Sequence, residues 1–564
     1  MLDEFILEPR TAYFSMEIAL TSEIPTYAGG LGVLAGDTLR SAADLQIPMV
    51  AVSLVCSRGY FKQEIDGMGH QIEQPDSWDP ASWASMLDAK IALTIEGRTV
   101  WVCGWLYLLK GEMNGLQPVI LLDTDLDEND SRDRQITHFL YGGDAQYRLK
   151  QEIVLGIGGV LMLQALGFNL RQYHMNEGHS ALLVLELLRR YAYPEEDLRP
   201  GELPYDIPRV RELCNFTTHT PVDAGHDRFP YDLVHQILGD FIELGTLKHL
   251  AGEEGLNMTR LALSMSEYVN GVAKRHAEVS SKLYPGYHVH AITNGVHPFT
   301  WTADSFIKLY GDHLPGWCHD PALLARAQHY IDDDAVWEAH LQARTALIEK
   351  VISLCGVELD PDAAILGFAR RMTAYKRPDL LFSDLSRLKS IAGKHPFQIV
   401  MAGKAHPKDG PGKQLIELIH RHVEELSEDI RMVYLPDYDM ALALELVSGV
   451  DVWLNTPLPP MEASGTSGMK AAFNGVPSLS VLDGWWIEGC IEGVTGWAID
   501  DTSGTVGTDD ANALYDKLEK IILPLYYQDR PGWVKVMKGA ISMNASFFNT
   551  HRMMRRYATE AYMR

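Results

Sequence analysis

Cations are scarce in this chain: 49 lysines and arginines stand against 75 aspartates and glutamates, a formal net charge of -26 over 564 residues. That imbalance argues against nucleic acid or an anionic membrane surface as a partner, since either needs a basic face. Cysteine is sparse too. Cys56, Cys103, Cys214, Cys318, Cys355 and Cys490 are scattered, with no CxxC pair and no secretory leader ahead of them. Structural disulfides and zinc ribbons are therefore not expected, and the cytoplasm is the default location. Long apolar runs are missing. The longest, Ile153 to Leu163, is too short and glycine-rich for a membrane span and reads as a buried helix. The run His174-Met175-Asn176-Glu177-Gly178-His179 does not have the HExxH spacing, and no metal centre is expected.

What remains is a chain too long for one hydrophobic core, so two large domains are expected. In the C-terminal half, short apolar runs at Ala364–Phe368, Phe397–Met401, Arg431–Leu435 and Val450–Leu454 read as strands. Amphipathic stretches over Leu380–Ile391, Lys413–Leu426 and Met440–Val447 read as the intervening helices of a doubly wound parallel sheet. The N-terminal half repeats the style less regularly. Thr11–Met16 and Met49–Val55 flank a helix from about Val33 to Leu45, and the Asp123–Asp133 and Tyr193–Pro208 stretches read as surface insertions. Two such α/β domains imply a cleft outside the carboxyl ends of their strands. Linker sequence is expected after Ile292–Pro298, where Asn-Gly and His-Pro favour a turn.

Three segments carry chemistry. In Glu462-Ala463-Ser464-Gly465-Thr466-Ser467-Gly468-Met469-Lys470, small residues at a helix start can turn backbone N–H groups toward an anion. Lys470, set among Ala471, Ala472 and Phe473, is expected to lose hydration, have a lowered pKa and become nucleophilic toward a carbonyl. A phosphate cradle beside such a lysine points to pyridoxal phosphate, although small-residue caps and snorkelling lysines are also common. Second, Arg370, Arg371, Lys376 and Arg377 follow a predicted strand, and a guanidinium fork beside an ammonium can hold phosphate groups; a solvated basic turn is the alternative. Third, the glycine loop Ala28 to Asp37 follows the first strand and opens a helix. Alone it is a weak signal.

Together these segments strongly resemble those of the α-glucan phosphorylases (glycogen, starch and maltodextrin phosphorylases), over motifs running from Ala12–Glu17 to Val481–Trp486. The resemblance implies two Rossmann-like domains of the GT-B glycosyltransferase type: residues 1–294, residues 295–532 with the cofactor lysine, and a helical segment 533–564 crossing back to the first. It implies pyridoxal phosphate on Lys470, with Tyr13, Arg370, Thr466, Ser467, Trp301 and Tyr438 around it. Arg371, Lys376, His219 and Glu462 form the implied catalytic set, and Gly29, Gly30, Asn294, Ser464 and Gly465 contact substrate. The implied reaction is reversible phosphorolysis of an α-1,4-glucan such as glycogen or maltodextrin by inorganic phosphate, giving glucose 1-phosphate with retention. A homodimer is compatible with it.

Departures from the animal pattern are Thr373 for a histidine, Asp439 for an arginine, and Ser467-Gly468 for Gly-Asn. The chain is also shorter than the animal enzymes, and their N-terminal regulatory segment is expected to be lacking. Two alternatives stay open at this point: a nucleotide-sugar glucan glycosyltransferase with the same basic pair, and a catalytically silent glucan-binding protein.

Overall fold

A computed structural model describes residues 3–8, 10–194, 196, 198, 203–221, 226–500 and 509–563. Part of the expected Tyr193–Pro208 insertion lies outside the described residues. The architecture is mixed α/β, built on two large sheets. The first has nine strands in the order His290–Ala291, Tyr268–Gly271, Cys214–Thr217, Leu170–Asn176, Arg10–Ser15, Met49–Leu54, Leu116–Asp123, Arg98–Lys110 and Ser85–Ile95. Its first seven strands pair in parallel, and the last two join antiparallel. That antiparallel extension turns at Glu96-Gly97, where both residues have positive φ, 52° and 71°, the backbone twist a two-residue hairpin needs.

The second sheet is parallel throughout, in the order Met432–Leu435, Phe397–Ala402, Ala364–Ala369, Val452–Asn455, Ser478–Val481 and Gly496–Ile499. All six residues of Ala364–Ala369 are buried, as a strand covered on both faces requires. The chain order reverses between this strand and Val452–Asn455. In open α/β sheets the carboxyl ends at such a switch point are where ligands bind. Arg370 and Arg371 leave one of these strands, and Thr456 and Pro457 leave the other.

Three elements differ from expectation in detail. The Leu380–Ile391 stretch is a single 3₁₀ turn, Leu380–Phe382, followed by a helix over Leu385–Lys394; Asp384 caps that helix through the Arg387 N–H and sets its start. The buried run from Ile153 changes to a π-turn over Val154–Gly158 before returning to α over Gly159–Ala165. The Asp123–Asp133 loop is anchored rather than loose, because Asn129 bonds the Trp101 backbone on both sides and Asp133 is buried against Arg98.

The Ile292–Pro298 segment, after which linker sequence is expected, is itself largely buried. Its burial comes from the C-terminal stretch: Val296 pairs with Asn549, and a Cβ on Gly295 would lie 2.2 Å from the Asn549 carbonyl carbon, so only glycine fits. Beyond Asn549, the helix Thr550–Tyr557 lies against Gly30–Asp44 through a Ser41–Thr550 hydroxyl contact of 2.6 Å. Tyr557 and Tyr562 reach Thr217, Asn270 and His174 of the first sheet. Trp301, Trp485, Trp533 and Phe548 share one buried core with the second sheet. Each such ring removes on the order of 150–250 Å² from water, which makes these aromatics the main hydrophobic fastening of this region.

Candidate functional site

Lys470 lies in the short helix Ser467–Phe473 with only 7% of its surface exposed. Its Nζ sits 3.5 Å from the centroid of the Trp301 ring, and among the described residues it makes no hydrogen bond and no ion pair. Burial lowers its pKa to about 8, with Asp37 opposing the shift. A buried lysine without an acceptor is costly, and its ordinary remedies are a partner or loss of charge. Trp301 is held in turn by Asp37, whose Oδ2 accepts its Nε1–H at 2.7 Å and the His297 N–H at 3.1 Å. Asn474 completes the clasp, donating to the Trp301 carbonyl at 2.8 Å and accepting the Ala303 N–H at 2.8 Å.

A second cluster gathers at the switch point. Glu462 Oε2 accepts from both Arg370 Nη2 and Lys376 Nζ at 2.5 Å, and Arg370 also donates to Asn455 at 3.2 Å. Burial would raise the Glu462 pKa, but Lys376 and Arg370 overcome it and hold the carboxyl at about 2. It is an anion at neutral pH. For Lys376, burial and Arg370 depress the ammonium pKa, which Glu462 offsets in part. Asp483 accepts the Glu462 and Gly484 N–H groups, yet burial lifts its pKa to about 6. Gly465, with φ of 74°, lets the chain turn directly beneath Glu462. Among the described residues, Ser464 Oγ and Arg370 Nε are buried with no partner, a condition that polar groups in a finished interior rarely show.

Arg371 stands apart from the two cations on Glu462. Its side chain reaches solvent yet lies among groups of both halves of the chain: burial presses its pKa down, and Tyr375, Tyr60 and Glu17 together raise it. Glu17 also clasps the glycine loop, accepting the Ala28 and Gly29 N–H groups at 2.6 and 3.1 Å. The Gly29 N–H is thus engaged by protein, while Gly30 opens the helix Gly30–Asp44, whose first N–H groups have no intrahelical acceptor. A Cβ on either glycine would meet nothing within 4 Å. Open space lies before the loop.

The other expected residues are placed as follows. Tyr438 is half-buried and feels Arg370. Tyr13 is buried edge-on to His174, with a ring separation of 5.1 Å, beside Thr38. Ser467 Oγ accepts from Trp453 at 3.0 Å, and Thr466 precedes the Lys470 helix without a side-chain capping bond. His219 bonds Asn176 at 2.6 Å and donates its N–H to Glu177, and burial lowers its pKa to about 4, so it is neutral. Among the described residues, Asn294 Oδ1 and Thr218 Oγ1 are buried without partners. Among the described residues, neither His219 nor Asn294 bonds to the Arg370–Lys376–Glu462 group.

Sequence reasoning assigned no role to Asp37, Asn455 or Asp483, and none to Glu17 beyond its place in a motif. Asp37 could have been found as the acid closing the glycine-loop segment. Asn455 and Asp483 have no local signal, since only strand order brings them to the site. The departures have plain structural places: Asp439 caps Met440–Gly449 through the Leu442 N–H at 2.8 Å, and Thr373 precedes the 3₁₀ turn Ala374–Lys376.

Residues 244–495 match the family model described as carbohydrate phosphorylase. The chain is 39% identical to a maltodextrin phosphorylase of Thermococcus litoralis, covering 98% of this chain and 70% of the relative. It is 37% identical to a glycogen phosphorylase of Aquifex aeolicus, covering 98% and 85%. An uncharacterized protein of Methanocaldococcus jannaschii is 33% identical over 98% of this chain and 99% of its own length. With identity sustained over nearly the whole chain, the protein belongs to the carbohydrate phosphorylase family.

Proposed function

We propose that this protein is an α-1,4-glucan phosphorylase dependent on pyridoxal phosphate. It transfers the terminal glucosyl unit of glycogen or maltodextrin to inorganic phosphate and releases α-glucose 1-phosphate. The observation that carries this reading is Lys470: a buried amine with a pKa of about 8, no acceptor, and an indole against it. That is the donor a carbonyl cofactor needs. In this reading residues 1–294 and 295–532 are two domains facing a cleft, and 533–564 returns to the first. A cytoplasmic location, and a homodimer, go with the same reading.

The residues present fit the cofactor. Lys470 would hold its carbonyl carbon, Trp301, Tyr13 and Tyr438 would border its ring, and Thr466, Ser467 and Arg370 would meet its phosphate. When bound, the cofactor supplies a phosphate that exchanges a proton with the substrate phosphate. Arg371 and Lys376 hold the substrate phosphate against that second anion and offset the charge that develops as the glycosidic bond breaks. The inorganic phosphate gives its proton to the glycosidic oxygen, and its oxygen then bonds the anomeric carbon on the face the glucan leaves. Retention follows.

Glu462 is ionised at neutral pH and already held by two cations. It therefore suits sugar hydroxyls rather than the proton-donor role of a glycosidase acid. The buried, partnerless atoms of Asn294 and Ser464, with neutral His219, suit an uncharged sugar in the same way. The open space before Gly29 and Gly30 suits the phosphate. A nucleotide-sugar transferase would use the same basic pair but has no need of a buried, acceptor-free lysine.

Two measurements decide between them. Borohydride reduction followed by peptide mass analysis should find the cofactor on Lys470. Maltooligosaccharides with inorganic phosphate should yield glucose 1-phosphate without any nucleotide sugar. Activity in cofactor-free protein, or activity only with a nucleotide sugar, would overturn the proposal.

A further inference from the structure

Away from the site, three side chains from distant parts of the chain converge where the C-terminal helix meets the first sheet. Asp44 ends the helix Gly30–Asp44, His297 lies in the buried connection, and His551 is the second residue of the helix Thr550–Tyr557. Asp44 Oδ2 is 2.9 Å from His297 Nε2 and 3.6 Å from His551 Nε2. One ligand atom from each residue falls within 4.8 Å of the other two.

The remaining atom of each group is already engaged. His297 Nδ1 meets Thr300 Oγ1 at 2.8 Å and accepts the Thr300 N–H at 3.3 Å, His551 Nδ1 meets Ser41 Oγ at 3.0 Å, and Asp44 Oδ1 accepts the Met113 N–H at 3.3 Å. Such outer partners aim metal-binding histidines; for His297 the Thr300 N–H favours a proton on Nε2 facing Asp44, which a bound ion would displace. Hydrogen bonding alone explains the His297–Asp44 contact. It does not explain His551, whose Nε2 is buried, has no hydrogen-bond partner among the described residues and is aimed at the same carboxylate oxygen. A buried nitrogen left unsatisfied is costly, because water no longer serves it.

We propose that Asp44, His297 and His551 bind one zinc ion, with water as the fourth ligand. Two imidazoles and a carboxylate form a common zinc donor set. Ligands about 2.0–2.2 Å from a tetrahedral ion stand roughly 3.3–3.6 Å apart, a separation close to the 2.9 and 3.6 Å seen around Asp44 Oδ2. The ion would fasten the C-terminal helix and the connection to the helix that carries Asp37. Since Asp37 accepts from both the His297 N–H and Trp301, the metal would be a positioning element for the indole that covers Lys470.

The test uses the full chain, stripped with a chelator, dialysed and titrated with zinc by calorimetry. One equivalent should bind, and cobalt in its place should show the visible absorption of a tetrahedral ion. His551→Ala and Asp44→Asn should abolish stoichiometric uptake. Ser41→Ala, which leaves every ligand in place, should weaken it about 10- to 100-fold. Anomalous scattering at the zinc edge from wild-type crystals needs no variant and should peak between the three side chains. Wild-type protein that takes up no zinc, or uptake undiminished in both ligand variants, overturns the proposal.

Discussion

Replacing Lys470 by methionine should destabilise nothing and abolish activity. The pKa of this lysine falls from 10.5 to about 8 through burial. At about 1.36 kcal/mol per unit, holding the ammonium in place costs the folded chain about 3 kcal/mol. Methionine has similar length and no charge, so the cofactor-free Lys470→Met protein should be about 2–3 kcal/mol more stable than cofactor-free wild type at pH 7. The gain has a pH signature. Below pH 8 the folded and unfolded wild-type chains both hold the proton, and the penalty is constant. Between pH 8 and 10.5 only the unfolded chain keeps it, so wild-type stability rises with pH and the gap closes. Urea midpoints of the two proteins, each freed of small molecules and measured from pH 7 to pH 10.5, follow this directly. A methionine variant no more stable than wild type at pH 7, or a gap that stays constant to pH 10.5, would refute the reasoning that the lysine is held charged with the Trp301 ring but no acceptor against it.

Other outcomes follow from the same geometry. Arg371→Ala and Lys376→Ala should each lower phosphorolysis by about 10²–10³-fold with an unchanged circular dichroism spectrum; turnover at the wild-type rate would make the basic turn a solvated loop. The anomer released from maltooligosaccharides, followed by proton NMR, should be α from the first turnover, and a β product would exclude attack on the vacated face. Asp439→Ala should cost about 0.5–2 kcal/mol in urea unfolding through loss of the cap on Met440–Gly449, whereas no loss would show that the Leu442 N–H finds water equally well.

Much of the second sheet was legible because its strands are short apolar runs between amphipathic helices, and local periodicity is enough to place them. Ala364–Ala369 and Phe397–Ala402 fall within a residue of where the pattern put them. The same reasoning missed the break at Ser383-Asp384, since a capping aspartate leaves the hydrophobic period intact while restarting the helix. It also read a turn in Ile292–Pro298 from Asn-Gly and His-Pro, with linker sequence to follow, and did not foresee that the segment is buried. The reason is physical: burial of the segment is imposed by Asn549 and Thr550, whose arrival no local pattern announces.

By itself the sequence determined which chemistry was available: a lysine among small and apolar residues, a dense group of cations in an acidic chain, and a glycine loop after the first strand. Those features depend on neighbours in the chain, and neighbours in the chain are what a sequence states. Only tertiary structure decided how the charges are spent. Glu462 is an anion because strand order brings Arg370 and Lys376 to one of its oxygens. The Gly29 N–H is engaged because Glu17 folds over it, and Lys470, with no acceptor among the described residues, faces the ring of Trp301, which Asp37 pins. Electrostatics acts through space and falls with distance and solvent; residues remote in sequence therefore set the protonation state of each group at the site.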